Sequence, residues 1–282
     1  MEDLSAWVGR AREAADEMTA PAARRLAAML DRPCPALDRG AVVPAHWATI
    51  LFDDAQPQSQ LGVDGHPRKG DFLPPVPLPR RMLAGRRIVY SGALRLGDAL
   101  VRRSEITAIT PKQGRSGALV FVTLRHSVTG PDGPVMTEDQ DIAYREAPQH
   151  SATPVAEAAP TPPDAAWTEI FAPDSVLLFR YSALTFNGHR IHYDADYARA
   201  AEGYPALVVN GGLSSLMLLE AALRHAPPGA QVLQAEARTM APLHCGRPAR
   251  LRGTLPDETG HRTLWVENEA GLMALRIATR IV

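Results

Sequence analysis

The chain has 282 residues, a formal net charge of −1 at pH 7, 45% apolar residues and 22% charged residues. These proportions are typical of a globular chain with length for about two domains, and they show neither the signature of disorder nor a basic surface for nucleic acid. The two cysteines, Cys34 and Cys245, lie far apart and outside any zinc-binding spacing, which argues against a disulfide framework and fits a reducing compartment.

The N-terminal segment predicts helix. Apolar residues between Met1 and about Leu30 recur mostly at three- and four-residue steps, and Pro21 should break this helix into two pieces. The segment lacks the apolar core of a secretory signal, and no apolar run approaches the ~18 residues of a membrane span. We therefore expect a cytoplasmic protein with no membrane partner.

Strand patterns dominate the rest of the first half. Residues 46–53 fit a short buried helix or a strand, and the proline-rich residues 72–81 predict an extended loop. Four strand-like stretches joined by turn sequences then predict an antiparallel meander. They are residues 86–95, 100–112, 117–129 and 137–146.

The second half repeats this order of elements. Residues 175–182 predict a strand, residues 194–205 a short helix, and residues 206–226 a long helix that is apolar on most sides and therefore buried. Four more strands are predicted at residues 231–243, 248–257, 263–271 and 273–282. Helices and strands segregated in this way indicate an α+β fold.

The chain therefore divides into two halves of similar organisation. Residues 1–146 form the N-terminal half, and residues 165–282 form the C-terminal half. Between them, residues 147–164 are rich in alanine and proline, a composition typical of a linker that packs no core. A strand, a buried helix and a four-stranded meander would let each sheet wrap around its helix.

The string FNGHRIH at residues 186–192 concentrates polar chemistry. His189 and His192 with Asp194 nearby offer metal ligands, but the segment has no recognised zinc spacing, so we predict no metal. The histidines could instead be hydrogen-bonded loop residues. A third interpretation is general acid–base catalysis, because a neutral imidazole can take a proton from water and return it to carbon.

The string VVNGGLSSLM at residues 208–217 offers the complementary group. Gly211 and Gly212 lie at the start of the long helix, where amides without intrahelical partners could polarise a carbonyl and stabilise an enolate. The glycines and Asn210 could also serve merely to start the helix.

Four longer strings carry a family resemblance. They are LPPVPLPRRMLAG (73–85), KQGRSGALVFVTLRH (112–126), FRYSALTFNGHRIHYD (179–194) and EGYPALVVNGGL (202–213). In this order they resemble the MaoC-like hydratase/dehydratase branch of the hot dog fold. The most similar subgroup contains mesaconyl-C4-CoA (3-methylfumaryl-CoA) hydratase and fungal mitochondrial 3-hydroxyacyl-thioester dehydratases. The resemblance covers about the whole chain and implies a double hot dog, in which two antiparallel sheets each wrap a long helix.

Two positions depart from the family pattern. Aligned on the MaoC signature G-D-x-N-P-[LI]-H, the chain has Asn187 in place of the aspartate, and it has Asn210 where the family usually has histidine before Gly211. The resemblance then implies that His192 is the sole catalytic base and acid, that Asn187 holds the water, and that the Gly211 or Gly212 amide polarises a thioester carbonyl.

The implied reaction is reversible hydration of an α,β-unsaturated acyl-CoA, most consistent with a short branched dicarboxyl acyl group. Arg190 or Arg180 would pair with its free carboxylate unless they are surface arginines, and His189, Asn210 and Gly212 would also contact substrate. A basic cluster comprises Arg80, Arg81, Arg86 and Arg87, and it fits either the phosphates of coenzyme A or a solvated face.

No metal or redox cofactor is expected, since coenzyme A enters as part of the substrate. Three alternatives stay open: a 3-hydroxyacyl-carrier-protein dehydratase of fatty-acid synthesis, a non-catalytic acyl-thioester-binding hot dog protein, and a thioesterase. The expected partners are the acyl-CoA substrate and further copies of the chain in a homo-oligomer.

Overall fold

A long antiparallel sheet organises the molecule. The structure is a computed structural model that describes residues 4–34, 36–53, 55–68, 70–114, 117–146 and 162–282. The strands are β1 (Ala11–Glu17), β2 (Val42–Val43), β3 (Arg80–Tyr90), β4 (Leu94–Arg95), β5 (Ala99–Gly114), β6 (Gly117–Gly130), β7 (Gly133–Arg145), β8 (Trp167–Phe171), β9 (Val232–Thr239), β10 (Ala249–Gly253), β11 (His261–Glu267) and β12 (Met273–Ile281). The helices are α1 (Ala20–Met29), α2 (Ser175–Leu184), α3 (Ala195–Ala200) and α4 (Gly211–Arg224), with 3₁₀ segments at Ser5–Trp7, Ala45–Ile50, Gln58–Gln60 and Arg190–His192.

The strand order shows that the two halves are copies of one plan. Ten strands run in the order β1-β5-β6-β7-β3-β9-β12-β11-β10-β8, while β2 and β4 pair separately. From the outer edge inward, the strands of each half follow the same order: β1-β5-β6-β7-β3 in one half corresponds to β8-β10-β11-β12-β9 in the other. The inner strands β3 and β9 pair from Gly85–Arg238 to Val89–Gln234, so the two sheets join edge to edge. The predicted α+β double hot dog is confirmed.

The two halves differ in the helix that their sheet encloses. In the C-terminal half, α4 packs on β9, β10, β11 and β12, with Leu213, Leu218 and Ala221 fully buried. At the same place in the element order, the N-terminal half has the six-residue 3₁₀ segment Ala45–Ile50, which packs against α4. Part of the inner face of the N-terminal sheet is therefore free to line a cleft.

The predicted helix before residue 30 is partly wrong. Residues 11–17 form β1, whose exposure alternates along the strand and which pairs with β5 along its whole length. Helix α1 follows, capped by the Thr19 side chain, with Pro21 in its first turn. Proline begins this helix because the first turn needs no amide donor from it.

The predicted strand at residues 175–182 is also wrong, because this segment is α2. The side chain of Asp174 accepts a hydrogen bond from the Leu177 amide and starts the helix. A short apolar run does not distinguish a buried strand from a buried helix. The edge position in the sheet is taken by β8 instead.

Most other predicted elements are confirmed with shifted ends. Helices α3 and α4 lie within residues 194–205 and 206–226, and the four C-terminal strands are present. In the first half, β5, β6 and β7 form the meander, but β3 pairs with β7 instead of β5. Most of the predicted linker, residues 147–161, lies outside the described residues, so the domain boundaries stay predictions. No helix in the described part of the chain is long and apolar enough to cross a membrane.

A buried carboxylate links α4 to the N-terminal half. Glu220 accepts hydrogen bonds from Arg32 Nη1 at 2.9 Å, His46 Nε2 at 2.7 Å and Trp47 Nε1 at 2.9 Å. Burial raises the pKa of Glu220, but these hydrogen bonds and the nearby positive charge outweigh it, so the pKa lies below its usual value. Glu220 is therefore ionised, and residues of the N-terminal half compensate its negative charge.

Replacing this carboxylate should lower the stability of the folded protein. We expect Glu220→Gln to lower the free energy of unfolding by about 3 kcal/mol, because the three donors would face a partner with one acceptor and two protons. Urea denaturation at pH 7 measures this change. The control Glu236→Gln removes an exposed carboxylate and should change stability by less than about 0.5 kcal/mol. Equal stabilities for the two variants would contradict the structural role of Glu220.

Candidate active site

The FNGHRIH segment is a rigid turn that leaves α2. Phe186 adopts a φ of 49°, an uncommon conformation for a bulky residue. The Asn187 amide donates to the Ser182 carbonyl at 2.8 Å, and Asn187 Oδ1 accepts from the His189 amide at 2.9 Å. The predicted water-holding residue therefore uses one side of its amide to shape its own loop.

The backbone just before α4 determines the orientation of His192. Its side chain is buried, and Nδ1 lies 2.7 Å from the Val208 carbonyl oxygen. The Val208 amide in turn donates to the Ile191 carbonyl at 3.0 Å. Because a carbonyl can only accept, Nδ1 of His192 carries the proton and the lone pair is on Nε2. Burial lowers the pKa of His192 to about 4, so the ring is neutral at pH 7.

The start of α4 is uncrowded at Gly211. A methyl group at Gly211 would meet nothing within 4 Å, whereas one at Gly212 would overlap the Tyr181 hydroxyl. Asn210, the N-cap residue, is buried, and its side-chain nitrogen and oxygen find no hydrogen-bond partner among the described residues. The roles predicted for Asn210, Gly211 and Gly212 stay predictions, and Gly211 has the open space that an approaching carbonyl needs.

A loop of the N-terminal half, residues 63–66, covers the FNGHRIH segment, which we call the catalytic segment after its predicted role. A methyl group at Gly65 would overlap the Gly188 carbonyl oxygen, so the two backbones touch. The Arg190 amide donates to the Asp64 carbonyl at 2.9 Å. The ring of His66 lies 4.0 Å from that of His189 between centroids. The sequence interpretation missed this loop, although the string DGH at residues 64–66 offers acid–base side chains on a turn.

The loop brings a carboxylate and a third imidazole to the site. Asp64 Oδ2 lies 3.1 Å from His66 Nδ1. Burial raises the pKa of Asp64, but the hydrogen bonds from His66 outweigh it and lower the pKa to about 2. Burial and the neighbouring His66 lower the pKa of His189 to about 3, and its ring lies edge-on to His192 at 5.3 Å. Asp64, His66 and His189 each offer an atom within 4.8 Å of the others, which fits a metal.

In the structure, one of the two predicted carboxylate-binding arginines is paired with a carboxylate of the chain itself and the other is exposed. Arg190 bonds Asp194 through Nε and Nη2 at 3.1 and 2.7 Å, and its guanidinium lies 4.1 Å from the Tyr197 ring centroid. Arg180 is exposed on α2. Neither residue is among those that line the main cleft.

The main cleft, of about 1230 Å³, runs between the N-terminal sheet, α2 and the FNGHRIH segment. Its described lining includes His66 of the covering loop and Asn187 of the FNGHRIH segment. It also includes Arg102 and Gln140 on the sheet. The arginines among the described lining residues are Arg12, Arg68, Arg81 and Arg102, against one carboxylate, Asp71. Phe179 and Phe186 also line it and are 65% and 64% exposed. These features suit an anionic ligand with an apolar part.

Sequence comparisons give the family of the chain. A profile of the family described as "Hydroxyacyl-thioester dehydratase type 2" matches residues 45–245, a range that includes the covering loop, the catalytic segment and α4. The chain belongs to the hydroxyacyl-thioester dehydratase type 2 family. It is therefore a hydro-lyase.

Two relatives of known name are similar to this family member. Mesaconyl-C(4)-CoA hydratase of Chloroflexus aurantiacus is 43% identical over 251 residues, 88% of each chain. The mitochondrial hydroxyacyl-thioester dehydratase type 2 of Schizosaccharomyces pombe is 34% identical over 131 residues, which is 46% of this chain and 41% of that protein.

Solved structures support the fold of this dehydratase-family chain. A MaoC-like dehydratase from Phytophthora capsici superposes with a TM-score of 0.73 at 13% identity and 96% coverage of both chains. A Mycobacterium tuberculosis protein described as having a double hotdog fold gives a TM-score of 0.61 at 14% identity, with 98% and 96% of the two chains covered. At such identities these likenesses show the double hot dog alone.

The burial of His192 predicts a pH dependence of stability. With a pKa lowered from 6.5 to about 4, the folded protein stays neutral at this site while the unfolded chain takes up a proton. The contribution of the neutral His192 to the free energy of unfolding is therefore complete above pH 6.5 and is lost as the pH falls toward 4. As the pH falls from 7 to 4.5, the free energy of unfolding should decrease by about 2 kcal/mol less in His192→Gln than in the wild type.

Urea denaturation at the two pH values measures this difference. The control His225→Gln removes an exposed histidine and should keep the wild-type pH dependence. A decline in His192→Gln as steep as that of the wild type would contradict a buried, neutral His192.

Proposed function

We propose that the protein adds water reversibly across the double bond of a short, branched dicarboxyl acyl-CoA such as mesaconyl-C4-CoA. The observation that carries the substrate class is the position of Arg81, which lines the cleft together with His66 and Asn187. The 43% identity to a mesaconyl-C(4)-CoA hydratase over 88% of both chains supports the same class.

The proposed base is His192. Its Nε2 lone pair takes a proton from water as the water oxygen bonds to the β-carbon, and the electron pair of the double bond moves toward the thioester. The proton then returns from Nε2 to the α-carbon, so one water is added and the imidazole is regenerated. Asn187 keeps its amide N–H groups to hold the water, because its oxygen already accepts from the His189 amide.

The proposed oxyanion site is the start of α4. Negative charge develops on the thioester oxygen during the addition, and the first amides of a helix carry the positive end of its dipole. The backbone beside Gly211 is uncrowded, since a methyl group on its Cα would meet nothing within 4 Å, whereas one on Gly212 would overlap the Tyr181 hydroxyl. We therefore assign the polarising amide to Gly211.

Arg81 would bind the free carboxylate. In a four-carbon unsaturated diacid, the second carboxylate is attached directly to the double bond, so a cation that binds it must lie close to the catalytic histidines. Arg81 lies on strand β3, opposite Tyr144 of β7, and lines the cleft together with His66 and Asn187. A guanidinium can bind a carboxylate through two parallel hydrogen bonds.

Coenzyme A would occupy the outer cleft. Exposed Phe179, Phe186 and Tyr193 line it and offer apolar contacts for the pantetheine and adenine, while Arg68 offers charge for the phosphates. The proposal includes a cytoplasmic location, in keeping with the free thiols of Cys34 and Cys245, and assembly with further copies of the chain.

The test follows the ultraviolet absorbance of the conjugated enoyl-thioester after mixing with mesaconyl-C4-CoA or straight-chain crotonyl-CoA, with thiol release measured in parallel. We expect loss of absorbance without thiol release and a preference for the dicarboxyl substrate. His192→Ala should lower kcat about 100-fold or more. Arg81→Gln should lower kcat/KM for mesaconyl-C4-CoA about 10- to 100-fold while leaving crotonyl-CoA unchanged.

The control Arg125→Gln removes an exposed arginine that pairs with Asp139 away from the cleft and should behave as wild type. Equal turnover of both substrates, with no effect of Arg81→Gln, would overturn the dicarboxyl assignment. Thiol release would indicate a thioesterase, turnover of carrier-protein thioesters alone would indicate the fatty-acid dehydratase, and binding without turnover would indicate a non-catalytic protein.

A further inference from the structure

His192 and Asn187 between them lack an acceptor for the second hydrogen of the water. His192 Nε2 accepts one hydrogen, and the aspartate of the MaoC signature is replaced by Asn187. The Asn187 oxygen accepts the His189 amide at 2.9 Å, and its nitrogen can only donate. A water held by His192 and Asn187 alone would leave one O–H without a partner, and its oxygen would be free to turn.

The covering loop offers an acceptor in a fixed state. Asp64 Oδ2 lies 3.1 Å from His66 Nδ1, and because a carboxylate oxygen accepts, Nδ1 carries the proton of that hydrogen bond. In the neutral ring, the lone pair then lies on Nε2. His66 is one of the residues that line the cleft. Among the described residues, nothing is hydrogen-bonded to its Nε2.

The two halves therefore present two imidazoles locked in the same tautomer. The Val208 carbonyl fixes His192 with Nδ1 protonated, and the Asp64 carboxylate does the same for His66. The ring of His189 contacts both others, at 4.0 Å from His66 and 5.3 Å from His192 between centroids. Asp64 and His66 come from a loop that is pressed against the catalytic turn through Gly65.

We propose that His66 is a second catalytic residue, whose Nε2 accepts the second hydrogen of the attacking water while His192 Nε2 takes the first. This inference rests on the proposed hydration. Asp64 is a positioning residue that holds the tautomer of His66. With both hydrogens held, the oxygen lone pair points at the β-carbon, and the hydroxyl of the product keeps its hydrogen bond to His66. One O–H bond and the π bond of the double bond break, one C–O and one C–H bond form, and both rings end neutral.

The experiment compares His66→Ala, His66→Gln and Asp64→Asn with the wild type in the hydration assay. We expect kcat to fall about 100-fold in His66→Ala and about tenfold in Asp64→Asn, because the amide no longer forces one tautomer. KM should stay within twofold, as should the Kd for methylsuccinyl-CoA, the saturated counterpart of the substrate. His66→Gln should recover part of kcat, because its side-chain oxygen can accept from water. The control His225→Ala removes an exposed histidine that pairs with Glu169 and should leave kcat unchanged.

Three results would overturn the role of His66. One is kcat within threefold of the wild type in a folded His66→Ala. Another is a fall in kcat matched by equal losses in Kd and thermal stability, which would indicate a structural role. The third is a loss of wild-type kcat on dialysis against EDTA that is restored by a divalent ion, which would assign Asp64, His66 and His189 to a metal. A wild type that hydrates neither substrate would instead refute the proposed function.

Discussion

The contact between the backbones of Gly65 and Gly188 is the constraint on which the site depends. No side chain fits at Gly65, so the loop of one half can lie directly on the catalytic turn of the other. The Arg190 side chain reinforces the contact by donating from Nη1 to the Val63 carbonyl at 3.1 Å. Because of this contact, the His66 ring lies against that of His189, in the same segment as His192. In the mechanism that we propose, a side chain of one half thereby compensates for a departure from the family signature in the other.

The joined sheet and the buried Glu220 make such a contact possible. Pairing of β3 with β9 fixes the two sheets edge to edge, and Glu220 attaches α4 to the N-terminal half through three hydrogen bonds. In the N-terminal half, the short 3₁₀ segment in place of a long helix leaves sheet residues such as Arg102 and Gln140 facing the cleft. The C-terminal half thus supplies the buried helix α4 and one wall of the cleft, and the N-terminal half supplies the opposite wall and its arginines.

The sequence predicts much of this molecule because its strongest patterns are local. The length and all-round apolarity of α4 mark a buried helix, and alternation with turn residues marks most of the strands. Prediction failed where local patterns are ambiguous: α2 reads as an apolar strand, and the alanines of β1 fit a helix as well as an edge strand. In the site, the catalytic turn is recognisable from its histidines, but the contribution of Asp64 and His66 is not. These residues lie more than a hundred positions away, and their role depends on a contact between backbones that no local pattern encodes.

The central claim is that the reacting water lies between imidazoles of the two halves. A crystal structure of the protein with its hydrated 3-hydroxyacyl-CoA product tests this claim most directly. The account predicts the new hydroxyl oxygen within about 3.2 Å of Nε2 of both His66 and His192, and the thioester oxygen at a similar distance from the Gly211 amide. A hydroxyl that contacts residues of the C-terminal half alone, with the His66 ring turned away from it, would contradict the account.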